Sequence, residues 1–356
     1  MPDERGSRAI PSVDELGAAG RAAGIDALGV AGADPFDDTR AVLEARKAAG
    51  LHGGMQFTYR NPARSTDPSR VVPGARALVV GARGYRRQEP PGPPGSEPAG
   101  RVARYARHDH YGELRAGLGA VAAVLRGHGW AARVVCDDNA LVDRAAAQRA
   151  GLGWYGKSAN LLLPGMGSWF VLGSVVTDAP LPASAGPVAD GCGPCTRCLD
   201  ACPTGAIVGP GVVDARRCLA WLVQAPGSIP VAFRAALGDR IYGCDDCQEV
   251  CPPNRGLDRR SPAPDDAGDG AWVGLLALLA SGDDALLEAH GRWYVPDRDP
   301  RYLRRNAIVA LGNVGRPDDP AVTRTLDAHA GGNDALLAEH ARWALDRLGE
   351  RARARA

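Results

Sequence analysis

Residues 192–203 read CGPCTRCLDACP: four cysteines separated by two, two and three residues, with a proline after the last. The chain has nine cysteines in 356 residues, and this one loop holds four of them. Cys192, Cys195 and Cys198, spaced C-x2-C-x2-C, put three thiolates on one tightly curled loop, which suits three corners of a 4Fe-4S cube. In the bacterial two-cluster run the fourth cysteine, before proline, ligates the other cluster; here that residue is Cys202. A partner run is then required, and YGCDDCQEVCP (242–252) supplies Cys244, Cys247 and Cys251, again followed by proline. Cys218, in RRCLAWL, brings the set to eight. Crossed sharing puts Cys192, Cys195, Cys198 and Cys251 on one cluster. It puts Cys202, Cys218, Cys244 and Cys247 on the other. A pair of four-cysteine zinc sites is the competing reading, but zinc modules present cysteines as separated pairs, and a third cysteine two residues on is awkward for one tetrahedron. The ninth cysteine, Cys136, ends an apolar strand pattern and reads as a small core residue.

The rest of the chain agrees with a redox protein in a reducing compartment. The N-terminus, MPDERGSRAI, lacks the apolar core of a secretory signal. The longest apolar run, AWVGLLALLA at 271–280, is about half of a bilayer span. A cytoplasmic protein without membrane attachment is expected, monomeric by default, whose clustered cysteines serve metal chemistry rather than disulfides. A net charge of +1 advertises no global affinity for nucleic acid.

Three Pro/Gly-rich stretches, 88–100, 179–190 and 259–270, read as linkers. They divide the chain into residues 1–180, 181–258 and 270–356. In the first block VDELGAAGRAAGI and ELRAGLGAVAAVLRGHG have helical periodicity, while ALVVGA, WAARVVCDD and SWFVLGSVV read as strands. That alternation predicts an α/β sandwich with ligand-binding loops at strand ends. In the last block, Leu303, Ala307, Ala310, Leu311 and Val314 share a helical face, as do Leu336, His340, Trp343, Ala344 and Leu348. Such helix pairs predict an all-α, HEAT-like layer.

Clusters move electrons singly, so other residues must perform the substrate chemistry. The segment CDDNALVDRAAAQRAGLGWYGKSANLLLPGMGSWF (136–170) carries acids after a strand, then a helix, then a Gly-rich turn with aromatics and Lys157. Lysine occurs otherwise only at Lys47, against a strong preference for arginine, which makes Lys157 a specified ammonium or a chance surface residue. Asp137 and Asp138 are either site acids at a crevice or a helix N-cap pair.

Together CGPCTRCLDACPTGAI, RRCLAWLVQ, GDRIYGCDDCQEVCPPN, AGLGWYGK, RRNAIVALGN and HARWAL resemble the epoxyqueuosine reductases, over most of the chain. The resemblance implies an N-terminal cobalamin-binding domain, a ferredoxin-like domain with two 4Fe-4S clusters and a C-terminal HEAT-like domain. It implies reduction of epoxyqueuosine to queuosine at the tRNA wobble position, using electrons from a low-potential donor. About eight irons and one cobalt per chain are expected. The family's general acid falls on Asp137, whose pKa must then rise from about 3.9 to near neutrality, about 4 kcal/mol, so Asp137 is expected to be buried near the cofactor. Arg64, Lys157, Ser158, Gln224 and Asp245 fall at cofactor-side positions. Two features depart from the family: His110 precedes Tyr111 where relatives have Tyr-His, and Ser158 replaces an asparagine.

For the tRNA, three arginine groups are candidates: Arg101, Arg104 and Arg107; Arg255, Arg259 and Arg260; and Arg301, Arg304 and Arg305, with Arg304 and Arg305 foremost. A reductive dehalogenase-like enzyme, a plain iron-sulfur carrier and a zinc-scaffolded RNA-binding protein are the alternatives. Corrin colour separates the carrier from the enzymes, and a colourless protein containing zinc would identify the last.

Overall fold

Apolar residues alternate in sense along ALVVGA and FVLGSVV, so each strand offers one set of side chains to each face. The computed structural model describes residues 8–260 and 270–354, except 89, 91, 94, 185 and 187. In it β1 (Ala27–Gly32), β2 (Ala77–Gly84), β4 (Ala132–Cys136) and β7 (Phe170–Thr177) form one sheet in the order β1-β2-β7-β4. Every neighbouring pair is antiparallel. Ala77, Val79 and Val175 pack beneath α1 (Val13–Ala22) and α4 (His110–Gly127). Leu78, Val80 and Val176 pack on the other face with Leu43 of α2 (Asp37–Ala48) and the alanines of α5 (Asp143–Arg149). Gly173 lets α4 sit close: a Cβ there would meet the Leu118 Cδ1 at 2.7 Å. The sandwich expected from the sequence is present, but antiparallel pairing makes it α+β. Asp137 therefore does not lie at a parallel-sheet crevice; it lies where edge strand β4 ends.

The three sequence blocks are stitched together rather than strung on linkers. β3 (Ala99–Val102) pairs in parallel with β10 (Arg240–Tyr242) and antiparallel with β11 (Trp272–Gly274), so one small sheet draws a strand from each block. The expected linker at 88–100 thus ends inside β3. The one at 179–190 buries Ala179 and Leu181 in the N-terminal core, and Ser184 exchanges two hydrogen bonds with Val30 of β1. Most of the third linker lies outside the described residues.

Short elements hold the cysteine region: the hairpins β5 (Trp154–Tyr155) with β6 (Leu161–Leu162) and β8 (Ile207–Gly209) with β9 (Val212–Val213), and the helices α6 (Arg197–Asp200), α7 (Leu219–Leu222), α8 (Val231–Leu237), α9 (Asp246–Glu249) and α10 (Pro252–Arg260). A further short helix, α3 (Pro62–Ser65), belongs to the N-terminal block. The helical layer comprises α11 (Leu275–Ala280), α12 (Asp283–His290), α13 (Arg301–Val314), α14 (Pro320–Ala330) and α15 (Ala335–Arg353). Leu303, Ala307, Ala310 and Leu311 of α13 pack on Leu337, Ala341, Ala344 and Leu348 of α15. That apolar face follows from the sequence periodicity.

Arg305 of α13 was expected at tRNA; it is 0% exposed. Its guanidinium donates to the carbonyls of Leu222 (3.0 Å), Ala225 (2.7 Å) and Gly227. Asn306 donates to Val223 and Ile241 carbonyls at 2.8 and 3.0 Å. Burial lowers the Arg305 pKa to about 10, which still leaves it charged at neutral pH. The pair clamps the backbone that follows α7, which accounts for Arg305 and Asn306 of the RRNAIVALGN motif.

Candidate functional site

The structure gathers the eight cysteines into the two expected sets. Cys192, Cys195, Cys198 and Cys251 line one pocket, together with Trp154, Lys157, Ser158 and Pro252. Burial first, then the nearby Cys192, Cys198 and Cys195, push the Cys251 thiol up to about 11 against an opposing N–H of Asn254. Cys202, Cys218, Cys244 and Cys247 form the second group. Burial raises Cys218, and Cys202 lies close enough to add to it. Cys244 rises to about 12, chiefly by burial, and Cys247 rises well above the usual range through burial and then Cys244 and Cys218. Burial would raise Cys202 too, but N–H groups of Ile207, Thr204 and Ala206 bring it below its ordinary value. The Ala206 N–H donates to the Cys202 sulfur at 3.1 Å, and the Asn160 amide reaches the Cys247 sulfur at 3.8 Å.

Among the described residues no three His, Cys, Asp or Glu groups gather closely enough to hold a single metal ion. Gly191 packs against Trp154, where a Cβ would come within 2.7 Å of the ring, and Lys157 donates to the Gly193 carbonyl at 2.6 Å. The Gly-rich turn is thereby fastened to the first cysteine loop. Lys157 and Ser158, expected at the corrin, both line this pocket.

Asp137 lies in a second region. It adopts φ 52°, a left-handed conformation that aspartate tolerates better than most residues, and turns the chain out of β4. Asp138 accepts the Ala140 N–H at 2.9 Å. Asn139 Oδ1 accepts the Thr58 N–H at 2.7 Å, and the Ser65 hydroxyl donates to the Asn139 carbonyl at 2.6 Å. These bonds dock the Asp137 loop onto the loop ahead of α3, beside Arg64, which is exposed. Asp137 was expected to be buried; it is exposed on the loop that leaves β4. Its carboxyl is nonetheless raised, first by the desolvating protein mass around it, with Arg115 opposing and Asp138 adding.

Sequence reasoning missed the groups around Asp137. Asp143, the first residue of α5, has a buried Oδ1 without a hydrogen-bond partner, and burial followed by Asp137 holds its carboxyl well above the usual range. The two acids in DDNALVD are visible in the sequence, but the second reads there as a helix-start residue. Tyr111 and Tyr242 are raised chiefly by burial, and both also feel the Asp137 charge. Arg144 is exposed and acts electrostatically on Asp143, Tyr155 and Cys218, which places the Asp137 region near the second cysteine set. Gln224, two residues beyond the end of α7, donates to the Tyr105 hydroxyl at 3.2 Å, and the Tyr105 ring lies 6.4 Å from that of Tyr242.

Other expected site residues are structural. Asp245 is buried, accepting the Arg104 N–H at 2.8 Å and the Gln248 amide at 3.3 Å. Burial lifts it to about 6, and it braces a network through Gln248, Asn254 and Ser168. Arg304 is paired with Asp283 and the Ser281 carbonyl. Arg101 pairs with Asp239 and Glu249, and Arg104 and Arg107 are buried. Cys136 is buried in the core, as expected.

A profile described as a 4Fe-4S double cluster binding domain matches residues 191–254, a span that contains all eight cysteines. The chain is therefore of the two-cluster iron-sulfur class. Epoxyqueuosine reductase from Staphylococcus aureus is 34% identical over 301 residues, covering 83% of this chain and 78% of that protein. The Xanthomonas campestris enzyme is 36% identical over 308 residues, covering 84% and 86%. An epoxyqueuosine reductase structure with a tRNA-Tyr epoxyqueuosine-modified stem loop superposes with a TM-score of 0.85 at 32% identity, covering 95% and 90%. A Bacillus subtilis structure with its catalytic aspartate loop swung out of the active site gives 0.84 at 32%, covering 95% and 91%. The chain belongs to the epoxyqueuosine reductase family and is an oxidoreductase. No helix among the described residues is long and apolar enough to cross a membrane.

Proposed function

We propose that this chain reduces epoxyqueuosine to queuosine at the wobble position of tRNA, with Asp137 as proton donor. The conversion takes the epoxide, two electrons and two protons to an alkene and water. The observation that carries the assignment is an exposed acid, Asp137, on a loop docked by the Asn139 hydrogen bonds beside Arg64, with its carboxyl raised by desolvation; we take the surface beside it as the cofactor cleft. Cys192, Cys195, Cys198 and Cys251 would hold one 4Fe-4S cluster, and Cys202, Cys218, Cys244 and Cys247 the other. These clusters would supply electrons one at a time.

The cleft has what a broad, flat cofactor needs. Phe57 and Tyr155 are each 39% exposed, unusual for aromatics; Asp143 keeps an unpartnered buried oxygen; Arg64 and Arg144 are exposed cations. Cobalamin bound there, with Arg64 and Gln224 among its contacts, would supply a centre able to attack or reduce an epoxide carbon. Asp137 holds its proton to higher pH than a solvated aspartate and delivers it to the departing oxygen. Asp143 beside it is raised in the same direction, first by burial and then by Asp137. Arg60 and Arg64, both exposed on the rim, suit the phosphates of a flipped-out wobble nucleotide. Residues 1–180 would thus form the cofactor cleft, 181–258 the electron relay, and 270–356 the helical layer that braces the relay.

Anaerobic purification with cobalamin, metal counting, and incubation with epoxyqueuosine tRNA and a low-potential reductant test the reading. About eight irons, about one cobalt and queuosine formation are expected. An Asp137→Asn protein that binds cobalamin yet still reduces the epoxide in a single turnover refutes the acid assignment.

A further inference from the structure

Of the three arginine groups along the chain, two are consumed by the fold. Arg101 and Arg304 are ion-paired, and Arg104, Arg107 and Arg305 are buried. The third is different. Arg255, Arg259 and Arg260 of α10 are exposed and have no hydrogen-bond or ion-pair partner among the described residues. Their position follows from the cluster ligand itself. Cys251 immediately precedes α10, and the Arg255 N–H bonds to the Cys251 carbonyl at 3.0 Å. Arg255 and Arg259 then follow Cys251 at four and eight residues, which stacks them on the same face of the helix.

That face borders the pocket of the first cysteine set. Pro252 and Pro253 of α10 line it, together with Lys157. Across the pocket, the loop residues Gly193, Pro194, Thr196 and Arg197 are exposed, and Arg197 also lacks a partner among the described residues. Among the described residues around this mouth, the cations Lys157, Arg197, Arg255, Arg259 and Arg260 outnumber the acids Asp190, Asp200 and Asp258, and Asp258 is already paired with Arg86. The described mouth of this pocket therefore carries an excess of positive charge. The first cysteine set lines this pocket, and none of the second set is among its lining residues. Electrons arriving at this face therefore meet the first set before the second.

We propose that Arg197, Arg255, Arg259 and Arg260 form the docking surface for an acidic, low-potential one-electron carrier protein. The proposal rests on the reductase reading only for the need of electrons. Each encounter passes one electron, the carrier being oxidised and the cluster reduced; two encounters supply the pair that the epoxide consumes with two protons. Positive charge around the entry point steers an acidic carrier and speeds its association, an effect that falls with ionic strength. An RNA substrate must instead reach the Asp137 cleft, so this face is assigned to the carrier protein.

The test uses the full chain with both clusters assembled. An acidic [2Fe-2S] ferredoxin and, separately, reduced methyl viologen serve as reductants, and cluster reduction is followed by visible absorbance in stopped flow. In Arg255→Glu/Arg259→Glu, the second-order rate with ferredoxin is expected to fall at least tenfold at low salt. The viologen rate, iron content and affinity for the tRNA stem loop should stay as in the parent chain. Arg255→Lys/Arg259→Lys should retain most of the ferredoxin rate, which separates charge from folding. An unchanged ferredoxin rate in the Glu variant overturns the proposal, and so does a parallel loss of tRNA affinity, which would mark the face as an RNA contact. Because the readout is cluster reduction, failure of the parent chain to convert epoxyqueuosine would count against the catalytic reading and leave this result interpretable.

Discussion

Replacing Asn139 by alanine measures how firmly the Asp137 loop is held. The docked loop has two sequence-distant ties, the Thr58 N–H to Asn139 Oδ1 at 2.7 Å and the Ser65 hydroxyl to the Asn139 carbonyl at 2.6 Å. Each contributes about 1 kcal/mol net. The left-handed Asp137 opposes docking by about 1 kcal/mol. The balance, about 1 kcal/mol, docks the loop about five times in six. Asn139→Ala removes one tie and leaves docked and undocked states about equal, so turnover falls less than twofold. Asn139→Ala with Ser65→Ala removes both, docking falls to about one molecule in six, and turnover drops about fivefold. Asn139→Asp keeps the acceptor and should behave like the parent chain. The assay pairs single-turnover epoxide reduction with amide hydrogen exchange over residues 137–142, where opening should increase in step with ties lost while cobalamin affinity is unchanged. Equal exchange in all four proteins, or an Asp variant no better than the Ala variant, refutes the idea that these bonds position the acid.

Asp137 makes a prediction about pH. Its folded pKa is raised, so the native state holds the proton where the unfolded chain, with a pKa near 3.9, has lost it; as pH climbs through that window both the protonated acid and its contribution to stability decline. Single-turnover rates should therefore fall on the alkaline side, while Asp137→Asn should be slow and flat with pH. Cys251→Ala should resemble Cys192→Ala rather than Cys244→Ala in the paramagnetic resonance of the cluster that remains, with about four irons per chain; a spectrum matching Cys244→Ala breaks the crossed pairing. Arg305→Leu strips donors from the carbonyls of Leu222, Ala225 and Gly227 and should cost about 3 kcal/mol in chemical denaturation. Lysine should not restore it, since one ammonium cannot span three separated carbonyls.

What could be read from the sequence was set by how local its cause is. The cysteine spacing fixes loop curvature within a dozen residues, and both runs end as expected, with Cys251 reaching the Cys192 pocket. Helix periodicity on α13 and α15 is equally local, and Leu303, Ala307 and Ala310 are buried as predicted. Linkers were misread where burial depends on a partner far along the chain: Ala99 and Gly100 look like the end of a Pro/Gly loop until β11 arrives to pair with them. The antiparallel order of the main sheet was hidden for the same reason, because alternating helices and strands do not state which strands become neighbours.

Charge was the least legible property, and the arginines show why. Arg304, Arg305 and Arg255 are identical in sequence terms, each beside another arginine or proline-flanked helix start. Arg304 meets Asp283, Arg305 fills a ring of carbonyls, and Arg255 meets nothing among the described residues. A guanidinium has five donors in a fixed fork, so it serves equally as an internal brace or as an outward anion site. Only the acceptors brought to it by the fold decide between these roles. A cation bound to three carbonyls cannot also meet a phosphate without leaving them unpaired in the interior, which costs more than an exposed ion pair returns. The useful positive surface of this chain is therefore the remainder after the fold has taken its share, and that remainder lies at the mouth of the first cysteine pocket and on the rim of the Asp137 cleft.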